Sequence, residues 1–149
     1  MTESLLPVLP CMCGSLRRTS RAFTQLYENA LRPLGLRATQ LTILQVLSRA
    51  GERSQGQLGG MLAMDSTSLT RTLAIMRRQA WITERRGEDR RERWFRLTNA
   101  GEVQLRRALP VWEKVQSRLR RKLGEQAWHS LLQLTHQATD IITTQGASS

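Results

Sequence analysis

Residues 65–98 constrain the fold more than any other part of the chain, because a helix signal and a hairpin signal follow one another there almost without a break. Asp65-Ser66-Thr67-Ser68 offers side-chain oxygens to the free backbone N–H groups of a helix start. Leu69, Leu73, Met76 and Ala80 follow at spacings of four, three and four. Such spacing puts them on one stripe and predicts that they face a core. The opposite face carries Thr67, Arg71 and Arg78 with small Ala74 between them, so no bulky apolar group is expected to block close approach there. Trp81-Ile82-Thr83-Glu84-Arg85 and Arg93-Trp94-Phe95-Arg96-Leu97 then read as two strands with partly alternating side chains. Between them lies Arg86-Gly87-Glu88-Asp89-Arg90-Arg91-Glu92, a charged tip containing a glycine.

A short helix is expected in front of this stretch, over residues 54–62. Ser54 and Gln57 have the spacing of a reciprocal capping box, and Leu58, Met61 and Leu62 supply an apolar face. Gly59 stands where a second helix crossing the first needs a small residue, whereas no packing reason is evident for Gly60. Each glycine costs a helix about 1 kcal/mol relative to alanine. Taken singly, arginines on a helix face or in a loop are ordinarily a solvated surface. In this order, a capped short helix, a polar-faced helix and an arginine-tipped hairpin form a winged helix-turn-helix. Its second helix suits the major groove of DNA, and its tip suits the backbone or the minor groove.

The flanks read as helices. Leu16, Phe23, Leu26, Tyr27, Ala30 and Leu31 recur at helical spacing over 15–34, ended by Pro33 and Gly35. Thr39 is placed to cap a helix carrying Leu41, Ile43, Leu44 and Leu47, ended by Gly51. From Thr98 a long helix carries Leu105, Ala108, Trp112, Val115 and Leu119, with Pro110 inside it as an expected kink. Gly124 separates a last helix with Trp128, Leu131, Thr135, Ala138 and Ile142 on one side, and 145–149 is a polar tail expected to fray.

The run Leu58–Leu62, Met64, Asp65–Arg71, then Trp81-Ile82 and Asp89-Arg90-Arg91 through Leu97-Thr98-Asn99-Ala100-Gly101 resembles the MarR family of bacterial transcription regulators. The most specific parts are the Asp-Arg-Arg of the tip, its distance to Leu97-Thr98-x-x-Gly101, and Leu69-Thr70-Arg71. Ala80 departs from the pattern, which has glycine where the second helix ends. The resemblance implies one mainly α domain over 1–149: a winged helix-turn-helix at 39–98 with a two-stranded wing, and long dimerisation helices at 15–34 and 99–144. It further implies a homodimer on a pseudo-palindromic operator in double-stranded DNA, most simply as a repressor, released by a small and often aromatic effector. Trp112 and Trp128 are candidates for the effector pocket, although tryptophans at this spacing are also ordinary core. Carried onto this chain, Ser66, Thr67, Ser68, Thr70 and Arg71 meet the major groove, with Arg78 on the same face. Arg91 reaches the minor groove with Asp89 orienting it, and Arg90 rests on the backbone.

The charge balance agrees with a polyanionic partner without choosing among them. Lys and Arg number 23 against 12 Asp and Glu, a net charge of +11, and only Lys114 and Lys122 are lysine. No apolar run is long enough to span a membrane, and residues 1–10 lack a basic start, contain Glu3 and are broken by Pro7 and Pro10. A cytoplasmic protein without cofactor is expected. There is no glycine-rich phosphate loop, nucleophile elbow or apolar carboxylate pair, so an enzyme is not expected. Cys11 and Cys13, close to Arg17 and Arg18, leave three readings open: packed bystanders, a redox switch acting between subunits, or a metal site completed by His129 and His136. A thiol- or metal-responsive sensor on the same fold and a sequence-tolerant architectural DNA binder are therefore the competing functions.

Overall fold

The computed structural model describes residues 10–146, so the expectations for 1–9 and for 147–149 lie outside the described residues. Helix α1 spans Met12–Leu31 and continues into a 3-10 turn, Arg32–Leu34, closed by left-handed Gly35. It begins earlier than the expected Ser15: Cys11 is its N-cap without a side-chain bond, and Cys13 lies in its first turn. Helix α2, Ala38–Ala50, is entered at Arg37 rather than Thr39. Its first free N–H groups find other partners, because Glu28 of α1 accepts from Ala38 N at 2.9 Å and Gln40 Oε1 accepts from Arg37 N at 2.9 Å.

Helix α3, Gln55–Leu62, has the expected capping box: Ser54 Oγ accepts from Gln57 N at 3.1 Å, and Ser54 N donates to Gln57 Oε1 at 3.0 Å. Helix α4, Ser66–Arg78, is capped by Asp65, whose carboxylate accepts from Ser68 N at 2.9 Å. That bond to the helix start holds the Asp65 carboxyl below its ordinary range. Leu69, Leu73 and Met76 are buried as the stripe predicts. Ala80 is not part of that face: it lies beyond the helix end, is exposed, and adopts φ +59°. The helix closes there with Trp81 N donating to Met76 O at 3.1 Å and Ala80 N to Arg77 O at 2.9 Å. These bonds satisfy terminal carbonyls and offset the strain of a left-handed alanine.

Strands β2, Ile82–Arg86, and β3, Arg93–Leu97, form the expected two-stranded wing. A third strand, β1 at Arg53–Ser54, was not legible and joins the sheet in the order β1-β3-β2, all antiparallel. Helix α5, Asn99–Leu123, is capped by Thr98 and runs through Pro110, and α6 spans Glu125–Gly146.

One core joins the flanks to the centre. Leu31 of α1, Ile43, Leu44 and Leu47 of α2, Leu58 of α3, Leu69, Leu73 and Met76 of α4, Phe95 of β3, and Leu105 and Ala108 of α5 form a single buried cluster. Val115, Leu119 and Trp128 make a smaller cluster against Phe23 and Leu26. The α6 stripe is covered only over its first half: Trp128 is buried and Leu131 and Thr135 are half-buried, whereas Ala138 and Ile142 are exposed. Met12, Leu16, Leu132, Leu134, Ile141 and Ile142 are exposed as well, at the two ends of the chain. Among the described residues no helix is long and apolar enough to cross a membrane.

Candidate nucleic-acid interface

Helix α4 presents every polar residue that the sequence singled out. Ser66, Thr67, Ser68, Thr70, Arg71 and Arg78 are all exposed. The face is less bare than expected. Ile75, one turn beyond Arg71, is 39 % exposed, while Ala74 is half-buried and lines a small hollow with Glu84 and Phe95. An isoleucine there offers apolar contact rather than free space, which suits the 5-methyl of a thymine.

The structure sorts the arginines of this region by whether they are committed to a carboxylate. Glu84 of β2 receives Arg93 at 3.0 Å and also Arg77 of α4, which ties the wing root to the side of the helix. Arg85 is bound by Glu52 and stacks over the Trp94 ring, 5.1 Å from its centroid. The same bond lowers the Glu52 carboxyl and raises the Arg85 guanidinium. Arg71, Arg78, Arg90 and Arg91 form no ion pair among the described residues. Arg71 and Arg78 on the helix face and Arg86, Arg90 and Arg91 at the wing tip thus stay uncompensated among the described residues. Only the pairing partners Glu52 and Glu84 distinguish the two groups, and neither pairing is local in sequence.

Asp89, Arg90 and Arg91 are exposed at the tip. Asp89 Oδ1 accepts from the backbone N–H of Arg91 at 3.0 Å and its carbonyl accepts from Glu92 N at 2.9 Å, so it shapes the turn that presents Arg91. A cleft of about 780 Å³ opens between α3, the first turns of α4 and this end of the wing; Ser54, Gln55, Gly56, Gly60, Ser66, Thr70, Arg91 and Arg93 are among its walls. Ser66, Thr70 and Arg91 therefore share one concavity. Gln55, which carries no sequence signal of its own, joins them and donates to Thr70 Oγ1 at 2.7 Å. Neither Gly59 nor Gly60 of α3 is required by packing. A Cβ on Gly59 would meet Met64 O at 3.5 Å and Leu69 Cδ2 at 3.6 Å, ordinary contact distances, and one on Gly60 would meet nothing within 4 Å.

Away from this surface, Trp112 and Trp128 line two clefts rather than one. Trp128 walls about 450 Å³ with Leu16, Phe23, Tyr27, Leu131 and Leu132, inside the α1–α5–α6 group. Trp112 walls about 230 Å³ with Phe23, Thr24, Tyr27, Ala38 and Thr42, where α1 and α5 meet α2. Tyr27 stands between them and donates to Gln116 Oε1 at 2.8 Å, and its burial raises the phenol pKa. Cys11 and Cys13 are both exposed thiols in the single chain. His129 pairs with Glu125 at 3.3 Å, and among the described residues no three His, Cys, Asp or Glu side chains gather as a metal site.

Residues 34–92 match the sequence profile of the MarR family. A DNA complex of the Mycobacterium tuberculosis transcriptional regulator MosR superposes with a TM-score of 0.76 at 32 % identity, over 88 % of this chain and 98 % of that one. The Bacillus subtilis protein YwoH, described as an uncharacterised HTH-type transcriptional regulator, is 28 % identical over 87 residues; the match spans 58 % of this chain and 64 % of YwoH. A mutant of Escherichia coli MarR complexed with operator DNA shares the fold, with a TM-score of 0.75 at 19 % identity over 85 % of this chain and 92 % of that one.

Proposed function

The chain belongs to the MarR family of transcription regulators, and on that premise we propose that it binds a pseudo-palindromic DNA operator as a homodimer and is released by a small-molecule effector. The observation that carries this reading is the set of uncommitted arginines: among the described residues Arg71 and Arg78 on α4 and Arg86, Arg90 and Arg91 at the wing tip have no carboxylate partner, while their neighbours Arg77, Arg85 and Arg93 do. Helix α4 enters the major groove with Ser66, Thr67, Ser68, Thr70 and Arg71, and Arg91 reaches the adjacent minor groove. Arg90 rests on the backbone, and Asp89 fixes the turn.

Dimerisation is supported by the apolar side chains that one chain leaves uncovered on α1 and α6, among them Leu16, Leu132, Ile141 and Ile142. Two reading heads related by a two-fold axis match a two-fold site. The helices within 15–34 and 99–144 serve this assembly, and 39–98 reads DNA. Repression follows where the operator overlaps a promoter. The cleft beside Trp112 is the better effector site of the two, because α2 forms one wall and α1 and α5 the others. An aromatic guest there changes how the reading head sits on the dimer helices. A second reading, thiol-responsive release, is favoured by the exposure of Cys11 and Cys13 at the start of α1.

Enrichment of binding sites from a random duplex library, followed by light scattering of the complex, tests the proposal. A two-fold consensus bound by two chains is expected. An even spread of sequences bound in proportion to charge would instead make the protein an architectural binder.

A further inference from the structure

We propose that Gln55 is a specificity-determining positioning residue, which fixes the Thr70 hydroxyl as a hydrogen-bond donor toward the base it faces. The inference rests on the reading of α4 as the major-groove helix. The observation behind it is a difference among threonines. Thr19, Thr42, Thr72 and Thr139 each donate their hydroxyl to the carbonyl one turn earlier, at 2.9 to 3.1 Å. That bond spends the proton and turns oxygen lone pairs outward. Thr72 does so only two residues from Thr70 in the same helix.

Thr70 is arranged the other way round. Its Oγ1 accepts from Gln55 Nε2 at 2.7 Å, and its own proton has no acceptor among the described residues. Both side chains line the cleft between α3, α4 and the wing, and Thr70 is exposed there. Gln55 comes from a well-held place. It is the first residue of α3, directly after Ser54, which is both the N-cap in the capping box and a partner of Trp94 in the sheet. The Gln55 amide occupies one lone pair of the Thr70 oxygen, so the proton that the other threonines spend on their own helix is left to point into the cleft, beside one remaining lone pair.

The chemical consequence is a selection rule. In the major groove guanine offers N7 and O6 as acceptors, adenine N7, and thymine O4, whereas cytosine offers only its N4 amino donor. With its proton free and one lone pair already taken, Thr70 donates to the first three and disfavours cytosine at the position it faces. Replacing the amide by a carboxylate reverses the polarity: in Gln55→Glu the hydroxyl must donate to Glu, and lone pairs then face the groove. Cytosine N4 or adenine N6 becomes the better partner.

Library selections with the wild type, Gln55→Leu, Gln55→Glu and Thr70→Val test this, with thermal melts as a folding control. For the wild type, one position in each half-site should disfavour cytosine by roughly three- to tenfold, the size of one neutral hydrogen bond. Thr70→Val and Gln55→Leu should erase the preference at that same position and leave the others intact. Gln55→Glu should weaken binding everywhere through its charge yet move that one position toward cytosine or adenine. The proposal is overturned if Gln55→Leu leaves every position unchanged or lowers all equally, or if Gln55→Glu keeps the wild-type preference. A wild type that enriches no consensus at all is a different result: it removes the reading of α4, and this inference with it.

Discussion

Two glycine-to-alanine changes of identical chemistry are expected to move stability in opposite directions. Gly101 sits in the first turn of α5, against the end of α4 and the root of the wing. A Cβ there would fall on the carbonyl oxygen of Trp81, with the Trp81 carbonyl carbon at 3.0 Å and Leu97 Cδ2 at 3.2 Å. That oxygen accepts the N–H of Thr98 at 3.0 Å, and Thr98 Oγ1 in turn donates to Ala80 O and accepts from Gly101 N at 3.0 Å. Backbone cannot step aside as a flexible side-chain end can. Gly101→Ala therefore carries an overpacking cost of roughly 1–3 kcal/mol and the weakening of one hydrogen bond worth about 1 kcal/mol. The sum is roughly 2–4 kcal/mol, or about 5–15 °C in Tm for a chain of this size. Gly60→Ala meets nothing within 4 Å and should gain up to about 1 kcal/mol in helix propensity. Urea unfolding followed by circular dichroism, at one fixed protein concentration because assembly shifts apparent stability, measures both. A Gly101→Ala loss below about 0.5 kcal/mol, the size of an ordinary surface change, would refute the junction as described.

Removing 99–149 should leave an aggregating fragment rather than a monomeric DNA binder, because Leu105 and Ala108 are part of the shared core; a well-dispersed monomer, seen by size exclusion and NMR, would contradict this. Changing Cys11 and Cys13 together to Ser should leave DNA affinity in reducing buffer unchanged, since both thiols are exposed and stand at the start of α1 rather than on α4 or the wing. If peroxide releases DNA from the native protein and not from this variant, thiol-responsive release becomes the function. The Asp65 carboxyl is held below its ordinary value of 3.8 by its bond to Ser68 N. Its contribution is therefore full above that value and is lost as pH falls through the lower folded value. Asp65→Asn should accordingly flatten the fall of Tm between about pH 5 and pH 2, and an unchanged acid limb in that variant would show that the cap carries no linkage.

The legible parts of this fold were those whose cause is local. Ser54 with Gln57, Asp65, and Thr98 cap helices through bonds that close within three residues, so each announces itself in the sequence. The burial of Leu69, Leu73 and Met76 follows from helical period alone. The misplaced boundaries have distant causes. The start of α2 is set by Glu28, ten residues from Ala38, and Thr39 only looked like the cap. Strand β1 is two residues long, too short for an alternation to be read, and exists because Phe95 and Trp94 offer it an edge. The α1 start at Cys11 has no capping bond to betray it. Within the interface the exposed residues of α4 and the wing tip were legible as a set. The sorting of arginines by Glu52 and Glu84, the outward Ile75 and the bond from Gln55 to Thr70 were not, because each depends on which strand lies beside which helix.

The central claim is that α4 reads base edges rather than merely adhering to phosphates. Arg71 lies mid-face on that helix, exposed and, among the described residues, without an ion pair. Arg71→Ala, titrated at two salt concentrations on the selected site and on random duplex, decides it. If α4 reads base edges, the loss is roughly 1–3 kcal/mol on the selected site and much smaller on random DNA, a bidentate base contact having gone. An equal loss on the two duplexes, with the salt dependence of both reduced by the same amount, would mean that only charge was removed, and would contradict it.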